Sequence, residues 1–149
     1  MPAQSLALIF ERDLLKLKDE LNNYPTEAGI WLVKPGIGNS AGNLCLHLVG
    51  NLNHFIGAGL GNTGYVRNRT AEFELKDVPR QQLLADIDST RAMLKQVLQN
   101  LPAEILDKEF PMELPMGKFT TQQFLLHLLT HLSYHLGQIN YHRRLLAGQ

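Results

Sequence analysis

The sequence predicts an all-α fold, a four-helix bundle, on three observations. Four segments repeat apolar residues at spacings of three and four, helix-stop signals separate them, and lengths of roughly 19–26 residues make them rods of about 30–40 Å. A chain of 149 residues and 16.8 kDa folds to a surface of roughly 7,700 Å², which is enough for one core. We therefore read residues 1–149 as a single domain.

The first helix covers residues 4–22, QSLALIFERDLLKLKDELN, with Leu6, Ile9, Phe10, Leu14, Leu17 and Leu21 on one face. It stops near Asn22, Asn23 and Pro25, and Gly29, Pro35, Gly36 and Gly38 keep the next stretch in turns. Asn39 or Ser40 caps the second helix, whose body reaches about Leu60. Gly42, Gly50 and Gly57 lower its propensity and permit close helix packing. Residues 61–78 form a long polar connection, and the glycine-rich GLGNTG at 59–64 lacks the preceding strand of a nucleotide-binding turn. Asp77 and Pro79 start the third helix, which runs to about Asn100 on Leu83, Leu84, Ile87, Met93, Leu94, Val97 and Leu98. Thr120 with Gln123 is the capping-box spacing that opens the fourth helix, extending to about Leu146.

Charge and cysteine content exclude several function classes. Fourteen Lys plus Arg against fourteen Asp plus Glu leave no net charge, which argues against nucleic acid as a partner. No apolar run approaches the length of a membrane span. The single Cys45 rules out an intrachain disulfide and a multi-cysteine metal site. No basic segment precedes Leu6–Phe10 and Glu11 ends that apolar stretch, so the expected location is cytoplasmic.

The histidines carry the functional signal. All six fall in two windows, His47 and His54 in the second helix and His127, His131, His135 and His142 in the fourth. Residues four apart point within about 40° of each other, so the latter four share a stripe bordered by Phe124, Leu128, Leu132, Ile139 and Leu146. Imidazoles facing apolar surroundings need partners for their nitrogens, and a metal ion is one such partner. A pair from the fourth helix and one from the second make a three-imidazole cap suited to Zn²⁺ or Ni²⁺, with an open position for water or substrate. Periodicity leaves the pair open between His127 with His131 and His131 with His135. The competing reading is a set of core histidines bonded to Asn43, Asn51, Gln138, Tyr134 and backbone groups.

The segments NLCLHLVGNLNHF and HLLTHLSYHLGQINYH, at 43–55 and 127–142, resemble the DinB/YfiT-like superfamily of metal-binding four-helix bundles. YVRNRTAEF, at 65–73, is similar to the sequence after the second helix in an uncharacterised branch of that family. The resemblance spans essentially the whole chain. It implies an up, down, down, up helix order and places the metal ligands at His47, His131 and His135. It also implies a small-molecule substrate: some members are thiol-dependent transferases or isomerases using mycothiol, bacillithiol or glutathione, and others are described as metal-dependent hydrolases.

Around that triad, His127, His54, Gln138, Asn43, Asn51 and Tyr134 are candidates for supporting the ligands or lining the pocket. Arg67 and Arg69 are candidates for pairing with a substrate carboxylate, set against the alternative that they bind Glu72, Glu74 or a helix C-terminus. Cys45 points about 200° away from His47 and is rejected as a ligand. The preferred function is a metal-dependent enzyme that transfers a low-molecular-weight thiol to a small electrophile. Its alternatives are a metal-dependent hydrolase and a non-catalytic, metal-stabilised binding module that takes a small ligand. A homodimer is compatible with a bundle of this size, and no face is marked for it.

Overall fold

The computed structural model describes residues 2–148. Its long helices are α1 (Ala3–Asn22), α3 (Ala41–Leu52), α6 (Arg80–Gln99) and α7 (Thr121–Leu146), and no strand occurs among the described residues. Among the long helices, α1 and α3 each pack chiefly against α6 and α7, so α1 and α3 sit across the bundle from one another. Leu6, Phe10, Leu14, Leu17 and Leu21 of α1 are buried against Leu83, Ile87, Leu94 and Leu98 of α6 and Phe124, Leu128, Leu132 and Ile139 of α7 within one core. No described helix is long and apolar enough to cross a membrane.

Local chemistry explains where these helices begin. The Ser40 side chain accepts from the Asn43 backbone N–H at 3.1 Å and caps α3. Thr120 and Gln123 close a reciprocal capping box on α7. The third long helix begins at Arg80 with Pro79 in the cap position, where the missing proline N–H costs nothing.

Two connections are more structured than their composition predicts. The stretch before α3 holds a short α2 (Glu27–Ile30), capped by Thr26. The polar connection after it folds back as α5 (Arg69–Glu74), capped by the Asn68 side chain, and docks on α3. The second predicted helix is itself interrupted. After Leu52 the chain takes a π-helical path over Asn53–Ala58, followed by a final turn, α4 (Gly59–Gly61), that ends at Asn62 in the left-handed conformation with φ 50°.

Gly50 shows why the glycine-rich face of α3 matters. A Cβ at that position would lie 2.6 Å from Glu72 Cδ and closer still to Oε2, so the absent side chain makes room for the carboxylate that α5 delivers.

Candidate metal centre

His47 projects from the second turn of α3, and His131 and His135 occupy successive turns of α7. Since α3 packs on α7, the rings meet between them: His131 Nε2 lies 3.2 Å from His47 Nε2 and 3.1 Å from His135 Nε2. One nitrogen from each of the three falls within 4.8 Å of the others, and the residues grade from buried His47 to half-buried His131 and His135.

The outer nitrogens decide what the inner ones can do. His47 Nδ1 lies 3.0 Å from Glu72 Oε1, and His135 Nδ1 lies 2.7 Å from Gln138 Oε1. Both partners are acceptors, and Arg67 Nη2, 3.3 Å from His47 Nδ1, makes its shorter contact with Glu72 Oε1 at 2.9 Å, so each Nδ1 carries the proton and donates it, leaving a lone pair on each Nε2. His131 therefore faces two lone pairs and can donate from Nε2 to only one at a time. With its proton on Nδ1 instead, a buried atom with no protein partner, it presents a third lone pair.

A cation resolves this convergence. In a tetrahedral shell with metal–nitrogen bonds of about 2.0–2.1 Å, neighbouring nitrogens lie about 3.3 Å apart, close to the 3.1 and 3.2 Å found here. The local field disfavours the charged form of His47 and of His131. Burial lowers the His47 pKa against the opposing pull of Glu72, and burial with repulsion from His135, His47, His127 and Arg67 lowers that of His131 to about 4. The donor set thus suits a divalent ion.

The chain belongs to the DinB superfamily. The family's model matches residues 11–139 and so takes in all three histidines and the bundle that carries them. The chain matches no curated protein and no solved structure.

The other candidate residues of this DinB protein separate clearly by position. His142 leaves the stripe. It lies about 16 Å along α7 from His131, where its Nε2 donates to the Leu32 carbonyl at 2.8 Å and its Nδ1 accepts from the Tyr24 hydroxyl at 2.7 Å. It is a satisfied core histidine. Asn43 binds no imidazole: its Nδ2 donates to the carbonyls of Glu72 at 2.9 Å and Leu75 at 2.8 Å, stitching α5 to α3. Asn51 is buried one turn beyond His47, and its Oδ1 has no protein partner. His127 is exposed and stacks between Phe124 and His131, with centroids at 5.5 and 6.4 Å. His54 is half-buried against Phe55, and burial lowers its pKa. Tyr134 is exposed with its ring 5.4 Å from that of His135.

The two arginines part company. Arg67 follows the alternative reading, with Nε 2.8 Å from Glu72 Oε2 and an Nη2 2.9 Å from Oε1. Arg69 is exposed and places its guanidinium 5.7 Å over the Phe73 ring, which in turn lies 4.9 Å from the His47 ring.

Glu72 is the site residue that sequence reasoning passed over, having weighed it only as a surface partner for arginine. Helical periodicity cannot reveal it, since it sits in a connection. The available signal was the close spacing of Arg67 and Glu72 in YVRNRTAEF. Cys45 lies fully buried in the core, where desolvation pushes its thiol pKa up.

Proposed function

We propose that His47, His131 and His135 hold one divalent ion, Zn²⁺ or Ni²⁺, and that the protein transfers a low-molecular-weight thiol to a small electrophile. The observation that carries this reading is the convergence of three Nε2 lone pairs on a half-exposed site beside a carboxylate with no free oxygen. Both oxygens of Glu72 are occupied by Arg67 and His47, so Glu72 is not available as a general base. A thiol, far more acidic than water, needs only a weak base such as an imidazole in its place.

An ion held by three neutral imidazoles lowers the pKa of a thiol or a water brought to its open position. In this reading His127, exposed one turn before His131, takes the thiol proton. The cosubstrate sulfur then forms the new C–S bond, and the leaving group of the electrophile departs with its electron pair. Arg69 offers a cation at the rim for an anionic group on either substrate. Cys45 takes no part, being enclosed in the core. The exposed His127 also favours a second reading, hydrolysis, in which the same imidazole takes a proton from water.

The test loads metal-free protein with Zn²⁺ or Ni²⁺ and follows consumption of an electrophile panel by mass spectrometry, with and without glutathione, bacillithiol and mycothiol. We expect one ion per chain by elemental analysis and a thiol adduct that disappears in His47→Ala and His131→Ala. Full metal content in His131→Ala would overturn the ligand assignment. Hydrolysed product at the same rate without thiol selects hydrolysis, and a ligand-dependent melting shift without turnover selects a binding module.

A further inference from the structure

We propose that Glu72 and Arg67 form a positioning pair that fixes the ring and the tautomer of His47 for an incoming ion. This inference rests on the reading of His47 as a metal ligand given above. A buried carboxylate is costly unless its charge is matched and its lone pairs are used. Glu72, 6% exposed, meets both conditions through two parallel bonds from Arg67 and one from His47 Nδ1. The ring of His47 is thereby held at its outer edge by a charged acceptor and on one face by Phe73.

Three independent features bring the carboxylate to that place. Asn43 anchors the backbone at Glu72 and at Leu75. Asn68 caps the start of α5, three residues before the carbonyl-bearing turn. Gly50 supplies the space, because a Cβ there would stand 2.6 Å from Cδ of Glu72 and closer still to its Oε2. The other two imidazoles are supported less firmly: Gln138 is neutral and exposed, and His131 Nδ1 has no protein partner. Orientation of the site is therefore concentrated in His47 and in the connection that folds back beneath it.

The experiment uses the full chain with Glu72→Ala, Glu72→Gln, Gly50→Ala and the double variant Gly50→Ala/Glu72→Ala. Zn²⁺ affinity is measured by chelator competition, and ¹⁵N spectra of the histidine rings in metal-free protein report which nitrogen of His47 holds the proton. Glu72→Ala should weaken Zn²⁺ binding about 10–100-fold and turn the Nδ1–H signature of His47 into a mixture of tautomers. Glu72→Gln, which keeps an acceptor oxygen, should recover part of both. Gly50→Ala should reproduce the loss without touching a ligand and add nothing in the Glu72→Ala background. Unchanged affinity and an unchanged His47 spectrum in folded Glu72→Ala would overturn the proposal, as would an undiminished Gly50→Ala effect in the double variant. If wild-type protein binds no Zn²⁺, or His47→Ala binds it normally, the ligand reading itself fails, an outcome distinct from either of these.

Discussion

His135 and His142 stand seven residues apart on one helix and do different work, because the residues opposite them differ. The ring of His135 looks across to α3, whereas His142 meets a phenol and a carbonyl contributed by the connection between α1 and α3. Tyr24→Phe removes the hydroxyl and leaves a buried ring nitrogen without its donor, which should cost about 1–3 kcal/mol in chemical denaturation. Metal content should stay at the wild-type level, and its loss would show that His142 belongs to the ion's surroundings after all. At this scale the sequence revealed which residue types gather but not where each side chain ends. The histidine stripe was legible from spacing alone. The fate of His142 depended on Leu32, and that of Arg67 on Glu72: Leu32 and Arg67 lie in connections with no period to read, and Glu72 in the six-residue α5, too short to show one.

Between elements, the α1–α6 seam shows how much electrostatics contributes at the surface. Arg91 of α6 bonds Glu11 of α1 and Asp88 one turn away, and Asp88 also accepts from Lys18 at 2.8 Å. The bond from Arg91 holds the Glu11 carboxyl below its usual range, and those from Lys18 and Arg91 do the same for Asp88. A carboxylate whose pKa is depressed by folding adds stability that is present above its unfolded pKa of about 4 and is lost as pH falls on through its lower folded pKa. The thermal midpoint of the wild type should therefore drop on acidification through about pH 4, and Arg91→Ala should flatten that drop. An equal drop in both proteins would remove the seam from the acid response. Added salt should shrink the difference, as both carboxylates are solvent-accessible. Helix starts were legible here because caps are local: Ser40, Thr120 with Gln123, and Pro79 each act within a turn of their own position. By contrast, α5 and the π-helical break escaped notice because docking on α3 and packing over Asn53–Ala58 decide them, not propensity.

For the whole molecule, an ion at the three imidazoles would tie α3 to α7 and, through Glu72, to the connection that carries α5. Binding to the folded state alone raises stability by RT ln(1 + [L]/Kd), about 2.7 kcal/mol at a hundredfold excess over Kd. Chelation should accordingly lower the melting temperature and speed amide exchange across residues 62–75 more than in α1. Uniform exchange along the chain would mean that the connection is held without help from the ion. The π-helical stretch that follows His47 has a consequence of a different kind, written in chain length. Removing one residue from Asn53–Ala58 would restore α-helical spacing there, and because a π turn spends one residue more than an α turn to go round once, the rod beyond would keep nearly the same facing while His47, upstream, keeps its place. A single-residue loss there is thus a length change the helix can absorb without disturbing the histidine that faces α7.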